Sequence, residues 1–225
     1  MKLRFGEHTI LYIGSINNET FIRHQAYCVV FNPYMQVEFK TTKYSVRSNL
    51  VVVPSLESHR LFSDENTRFL FIDPFCTFSK TNDTQSLQFE NEHLNKIKQY
   101  LITDINNIDI TSLDRLVSGS TIIDYRIKNA SDFIKNNLHK TISTKEIVDV
   151  CFLSESRLQH SFKEQIGMSI RKYILWQRVV AATKSIVEGN QLTQAAYVGG
   201  FADGAHFTRT FKKMFGVPPS FFFSK

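Results

Sequence analysis

Cysteine is scarce. Cys28, Cys76 and Cys151 are an odd number among 225 residues, and no two of them stand at the paired spacing of a zinc module. That excludes a disulfide framework and a zinc ribbon, and it reads as three reduced thiols. Long apolar runs are missing too. No stretch approaches the roughly 18 consecutive apolar residues of a membrane span, and Met1 to Gly6 contains no signal-peptide core, so the expectation is a cytoplasmic protein without a membrane partner. The sequence also has no Gly-rich phosphate loop, no Gly-x-Ser-x-Gly elbow, no His-x-His pair and no cysteine and histidine paired with a plausible base. Those enzyme classes have no foothold here.

Acidic residues are thin in one half only. From Arg126 to Lys225 there are 15 Lys and Arg against 7 Asp and Glu, whereas residues 1 to 125 carry 12 against 14. The net charge of +6 therefore arises in the C-terminal half, which is the half expected to meet a polyanion.

That half repeats itself. Phe152, Ser154, Leu158, Phe162, Lys163, Ile166 and Gly167 recur 49 residues later as Phe201, Asp203, Phe207, Phe211, Lys212, Phe215 and Gly216. A fixed offset points to one supersecondary unit used twice. In each copy Ser or Asp stands at the N-cap, apolar residues follow at helical spacing, and Gly closes the pattern. A further helical stretch precedes each copy, Thr144 to Cys151 and Thr193 to Gly200. The pairs match the helix-turn-helix, whose second helix enters the DNA major groove. An opening helix from Ile123 to Leu138 precedes them, and a connecting helix from Ile170 to Val187 spans about 27 Å at 1.5 Å per residue. With its flanking helices this connector sets the two recognition elements about 34 Å apart, one turn of DNA.

The first recognition helix, from Glu155 to Ile166, turns Leu158, Phe162 and Ile166 inward and Ser156, Arg157, Gln159, His160 and Lys163 outward. Gln pairs with adenine, Ser and His reach base edges, and Lys and Arg neutralise phosphates. Ser156, Gln159 and His160 are therefore assigned to bases, and Arg157 and Lys163 to phosphates. In the second copy Gly204 and Ala205 offer no discriminating side chain. Base contact there falls to His206, Thr208 or Arg209 and phosphate contact to Lys212 and Lys213, so the first helix is expected to discriminate more. The first half of the chain looks different. Thr9 to Ile13, Phe21 to Phe31, Met35 to Thr41, Leu50 to Val53 and Thr67 to Ile72 are rich in β-branched and aromatic residues between turn signals, which implies a sandwich or barrel.

The run Gly200-Phe201-Ala202-Asp203-Gly204-Ala205-His206-Phe207-Thr208-Arg209-Thr210-Phe211-Lys212-Lys213-Met214-Phe215-Gly216-Val217-Pro218-Pro219 resembles the C-terminal signature of AraC/XylS-type transcription regulators. Leu153-Ser154-Glu155-Ser156-Arg157-Leu158-Gln159-His160-Ser161-Phe162-Lys163 and Gly167-Met168-Ser169 resemble its first recognition unit, and Arg178 and Ala182 fall where its connecting helix carries Arg and Ala. The likeness covers about a hundred residues, Thr121 to Phe223, without a gap. By similarity Ser156, Gln159 and His160 are base-facing in the first unit, and Gly204, Ala205 and Arg209 in the second.

The resemblance implies an α+β protein: a cupin-like β-barrel or jelly roll at residues 1–82 for effector binding or dimerisation, a helical dimerisation or linker segment at 83–119, and an all-α double helix-turn-helix at 120–225. It assigns His24, Tyr27 and His59 to an effector pocket. The amphipathic helix around Leu94, Ile97, Leu101 and Ile105 is either a dimer contact or packed on the barrel wall. His24, Glu38 and His59 look like remnants of a cupin metal set, but the alternation of Met35, Val37 and Phe39 inward turns Glu38 outward, so no metal or other cofactor is expected. The expected partners are promoter DNA, a small-molecule effector, a second copy of the chain and, for an activator, RNA polymerase. The alternatives are a cupin-type metal-dependent enzyme, or a protein-interaction module, with an attached DNA-binding domain. Whether transcription rises or falls is open.

Overall fold

The computed structural model describes residues 3–76, 92–118 and 123–223; the domain edges expected at 82/83 and 119/120 lie outside these. By its internal contacts the chain divides into two compact units, residues 1–120 with 213–224, and residues 121–212. Residues 213–224, expected with the helix-turn-helix part, group with the first unit because their aromatic side chains pack there. Phe215 meets Phe71 edge-on at 5.4 Å and Phe222 lies 4.4 Å from Tyr12, ring centre to ring centre.

The first unit holds eight described strands, β1 (Leu3–Phe5), β2 (Thr9–Ile13), β3 (Tyr27–Phe31), β4 (Val37–Thr41), β5 (Ser45–Ser48), β6 (Leu50–Val53), β7 (His59–Phe62) and β8 (Arg68–Ile72). They form two antiparallel sheets, ordered β1-β2-β8-β3-β6 and β5-β4-β7. Among the described residues these sheets share no paired strand, so the expected barrel is an open pair of sheets rather than a closed cylinder. Two helices follow in this unit, α1 (Glu92–Ile102) and α2 (Ile110–Ser118), with a 3-10 turn at Ile105–Asn107 between them.

The strand sequences show which sheet is covered on both faces. Tyr27-Cys28-Val29-Val30-Phe31 and Phe69-Leu70-Phe71-Ile72 are unbroken apolar runs, the pattern of strands with no water-facing side. Leu11, Val29, Phe31, Leu70 and Ile72 pack in one cluster with Leu94, Ile97, Leu101, Leu113 and Val117 of α1 and α2. The alternate residues Cys28, Val30, Phe69 and Phe71 face the other way. In β4 burial alternates instead, with Val37, Phe39 and Thr41 in and Glu38 and Lys40 out. Glu38 bonds Lys40 and Arg47 across that outer face, and the Lys40 ammonium beside it holds its carboxyl below the usual range.

The sequence outlined β2 and β6 to the residue and drew others too long. The stretch from Phe21 to Phe31 pairs as a strand only from Tyr27. Before that, Ile22 makes an isolated bridge to His59, and the chain is held by Leu56 N–H to His24 O (2.8 Å) and Ser55 Oγ to Gln25 O (2.5 Å). Met35, expected inward, lies exposed ahead of β4. β1, β5 and β7 leave no mark in the sequence pattern: each has three or four residues, too few to show a period. Asp114 of α2 ties the first hairpin down, accepting from Glu7 N–H (2.6 Å), His8 N–H (3.1 Å) and Thr9 Oγ (2.6 Å). A buried carboxylate is tolerable when its oxygens are hydrogen-bonded in this way.

The second unit is helical: α3 (Tyr125–Asn136), α4 (Thr144–Cys151), α5 (Glu155–Ile166), α6 (Ile170–Val187), α7 (Leu192–Val198) and α8 (Gly204–Phe215), the last of which ends among the residues grouped with the first unit; α9 (Ser220–Phe223) belongs to the first. Ser143 and Glu146 form a reciprocal capping box on α4, with Lys140 on the Glu146 carboxylate holding its pKa to about 2. Tyr173 of α6 is fully buried, sharing a hydrogen bond with Ser131 of α3 (2.8 Å) and an edge contact with Phe162 of α5 (5.4 Å). Arg178 of α6 donates to Lys140 O (2.9 Å). Ala182 lies where α7 turns, and a methyl group on Gly199 would stand 2.8 Å from its Cβ.

The 49-residue repeat holds in the recognition helices and fails in the turns. Phe152 is 88% exposed and left-handed at φ 52°, whereas its copy Phe201 is 3% exposed. In the second turn the left-handed residue is Gly200 at φ 71°, where a Cβ would stand 1.8 Å from Leu138 O. The second turn is thus docked backbone to backbone, and the first carries a phenylalanine in a conformation that costs non-glycine residues about 1 to 2 kcal/mol. Phe152→Gly forfeits little burial and releases this strain, partly offset by the entropy of a freer unfolded chain. The expected gain is about 0.5 to 1 kcal/mol, read as a higher urea midpoint at unchanged m-value.

Candidate nucleic-acid interface and ligand cavity

α5 is N-capped by Ser154, whose side chain accepts from Arg157 N–H, and ends at left-handed Gly167. Leu158, Phe162 and Ile166 are buried on one side. Ser156, Arg157, Gln159, His160 and Lys163 are all exposed on the other, which leaves the five side chains assigned to DNA free of the core. Gln159 Nε2 donates to Glu155 Oε1 at 2.9 Å, and His160 Nδ1 lies 3.7 Å from Glu164. A base competing for Gln159 therefore has to replace an intrahelical hydrogen bond.

α8 is built alike. Asp203 accepts from His206 N–H at 2.6 Å, Phe207 and Phe211 are buried, and Ala205, His206, Arg209, Lys212 and Lys213 are exposed. The His206 ring stands edge-on to Phe201 at 5.2 Å, so its freedom is narrower than that of His160. Gly204 and Ala205 at the leading turn bring backbone N–H groups and the positive helix end forward, chemistry that suits a phosphate better than a base edge.

In the first unit a cavity lies between the two sheets, about 280 Å³ counting the space at its mouth, walled by Ile16, Ile22, Cys28, Val30, Val53, Leu61, Phe69, Phe71 and Phe215, with Asn18, His24 and His59 as its polar side chains. His24 and His59, the two pocket histidines expected from sequence, come together here with ring centres 5.0 Å apart. Tyr27 does not join them. It precedes Cys28 by one residue, so the strand alternation sends it to the opposite face, against the α1 and α2 cluster. Glu38 stays on the outer surface of β4, and no metal-like group of three forms among the described residues.

Leu94, Ile97 and Leu101 are buried within the same cluster. This corrects the dimer assignment in favour of the wall-packing alternative: the stripe is consumed inside the chain. The side chain of Ile105 lies outside the described residues.

Asn17 and Asn18 are neighbours in sequence with different roles. Asn17 does serve the loop, accepting from Ser63 N–H (3.0 Å), but Asn18 is 2% exposed and donates from Nδ2 to Phe215 O at 3.0 Å. Its place, and the arrival of Phe215 from nearly two hundred residues away, have no signal in local sequence.

Both imidazoles are held by backbone carbonyls, His24 Nδ1 to Ala26 O and His59 Nδ1 to Glu57 O, each at 2.9 Å. A carbonyl only accepts, so each Nδ1 carries the proton. Burial, with the neighbouring His59 adding to it, lowers the pKa of His24 to about 3 against the opposing pull of Ala26 O; burial likewise lowers His59, opposed by Glu57 O. Burial raises the Cys28 thiol well above its ordinary value.

Comparison with known proteins places the helical unit. A helix-turn-helix domain family model matches residues 147–225. The multiple antibiotic resistance protein MarA of Salmonella typhimurium is 31% identical over 94 residues, 41% of this chain and 74% of MarA. The probable transcriptional regulator LumQ of Photobacterium leiognathi is 32% identical over 90 residues, 40% of this chain. The match spans only 36% of LumQ's length. In fold, the chain is similar over 96% of its length to ToxT from Vibrio cholerae, covering 98% of that chain at 14% identity with a TM-score of 0.62. A second ToxT structure, bound to unsaturated fatty acid, matches with a TM-score of 0.61 at 16% identity over 96% of this chain and 95% of that one. No described helix is long and apolar enough to cross a membrane.

The cavity histidines make stability depend on pH. With His24 titrating near 3 when folded and near 6.5 when unfolded, the unfolded chain takes up the proton first as pH falls. The stabilisation is present above the unfolded value and is lost on acidification. From pH 7 to pH 5 the loss from His24 is about 2 kcal/mol. Urea denaturation of wild type and His24→Gln across this range measures it; the variant is expected to show the flatter profile.

Proposed function

We propose, for a chain that belongs to the AraC/XylS-type transcription regulators, that α5 and α8 bind promoter DNA sequence-specifically and that a small molecule in the first unit controls this binding. The observation that carries the proposal is the paired presentation of exposed polar faces on two capped helices whose other faces are buried. Ser156, Gln159 and His160 of α5 read base edges, with His206 and Arg209 of α8 adding less. Arg157, Lys163, Lys212 and Lys213 neutralise phosphates. The length of α6, 18 residues or about 27 Å, supports entry into successive major grooves from one face of the duplex.

Control by a ligand is supported by the cavity and by its wall. Phe215, which lines the cavity, is the last residue of α8. A molecule seated against Phe215 bears on the end of the helix whose earlier residues meet DNA, and a ligand shifts an equilibrium only through such differential contact. The fatty-acid complex of ToxT is a precedent for a small molecule bound by a protein of this fold. RNA polymerase, for an activator, and a second copy of the chain complete the proposed partners; a dimer would use surface other than Leu94, Ile97 and Leu101. The cytoplasm is the proposed location, and the metal-enzyme alternative loses support because Glu38 and the two histidines do not converge.

The expected DNA footprint covers two successive major-groove segments per monomer; protection of a single segment contradicts the arrangement. Gln159→Ala or His160→Ala is expected to cost about 1 to 3 kcal/mol on the preferred site and to relax specificity there. Lys163→Ala should weaken binding to all sequences alike and lower the salt slope by about one. Equal losses on preferred and random DNA for Gln159→Ala and His160→Ala would remove the base-reading role.

A further inference from the structure

The polar lining of the cavity is one-sided. Asn18 is 2% exposed, its Nδ2 is committed to Phe215 O, and its Oδ1 is buried without a hydrogen-bond partner. Because the group facing Nδ2 is a carbonyl, the amide cannot be turned round without losing that bond. His24 and His59, 3% and 2% exposed, each spend Nδ1–H on a backbone carbonyl. No described residue bonds either Nε2, so each ring is left with a lone pair. Three acceptors thus meet in one small space. The one side-chain donor left in the wall is the weak Cys28 S–H, and no lysine or arginine lines the cavity.

This lining sorts ligands by charge and by hydrogen-bonding sense. A carboxylate entering it would lose its hydration, face three lone pairs and find no cation, at a desolvation cost of several kcal/mol. An ammonium group would find acceptors there but no carboxylate to pair its charge once stripped of water. An uncharged donor satisfies Asn18 Oδ1, which is otherwise buried unpaired, or an imidazole lone pair beside it, while its apolar body lies against Phe71, Phe215 and Val53. The space reaches about 280 Å³ only when open solvent at its mouth is counted, so even at that upper bound it falls short of the usual small-molecule pocket, about 300 to 1,000 Å³. It admits no body larger than one ring.

We infer that the effector of this chain is a small, uncharged hydrogen-bond donor on an aromatic or apolar ring, of the phenol or aromatic alcohol class, and that the cavity rejects carboxylates of the same size. The inference rests on the proposal that the cavity is a ligand site, and it departs from the fatty acid of the ToxT complex, whose headgroup this lining has no cation to meet.

Phenol, anisole and benzoate share a ring and differ in the deciding property: a donor, an acceptor without a donor, and an anion. Titrated by calorimetry into the full chain at pH 7.5, phenol is expected to bind at least about tenfold tighter than either of the others, one hydrogen bond's worth of discrimination. His59→Leu should narrow the preference for phenol over anisole, because Asn18 and His24 remain as acceptors, while His59→Gln, which keeps an acceptor, should retain more of it. His24→Gln serves as a second variant, and circular dichroism confirms that each folds. Benzoate binding as tightly as phenol, or a phenol preference untouched in His59→Leu, overturns the inference. So does failure of all three probes to bind, which leaves the acceptors to ordered water. Operator binding with and without phenol is measured separately. Selective phenol binding that leaves operator affinity unchanged sinks ligand control and spares the cavity chemistry; a carboxylate that shifts operator affinity, with phenol inert, does the reverse.

Discussion

A helix of 12 residues such as α5 or α8 is marginal by itself in water. Its polar face is held out only because its apolar face is held in. Phe162 and Phe207, one from each copy, are both fully buried. Phe162 packs on Tyr173, Phe207 on Phe201 and Phe211. Fully burying such a side chain contributes about 1.5 to 3 kcal/mol, which is the scale of what a short helix lacks. Because side chains on a helix are fixed in direction by the same 3.6-residue turn, anchoring Leu158 and Phe162 also aims Gln159 and His160. Core and recognition surface are one constraint seen from two sides.

The first unit obeys a parallel rule with a different outcome. Its five-stranded sheet is covered by α1 and α2 on one face, and its other face lines the cavity. Burial on both sides admits few polar groups, and those it admits must be hydrogen-bonded or answered by something else. Asp114 is answered within the chain, by Glu7 N–H, His8 N–H and Thr9 Oγ. Asn18, His24 and His59 are answered only in part. The contrast between these two buried polar groups separates a structural tie from a set with unspent acceptors, and it turns on counting donors and acceptors rather than on residue type.

The double helix-turn-helix was legible because its information is local and periodic. Caps at Ser143, Ser154 and Asp203, apolar spacings of three and four, and Gly167 and Gly216 after the last turn each act within a few residues, so α4, α5 and α6 fall where the pattern put them. The exposure of the residues assigned to DNA follows from the same period. Less was legible in the strands, where a buried run such as Tyr27 to Phe31 has no alternation to mark its faces and a four-residue strand such as β7 has no period at all. That is why the sequence points Tyr27 to the cavity and leaves Leu94, Ile97 and Leu101 between an interface and the barrel wall: the residue types are apt, and only the packing partner decides.

From sequence alone came the repeat, the capped helices, the basic half and the polar faces, all consequences of turn geometry and charge acting over short distances. Tertiary structure alone decided that Gly200 must sit against Leu138 O while Phe152 stands in water, that Phe215 closes a cavity begun by Asn18, and that two histidines 35 residues apart face each other with the same nitrogen committed. These depend on which distant surfaces meet, and the free energy of that meeting is shared over many side chains. No short stretch of the chain encodes it.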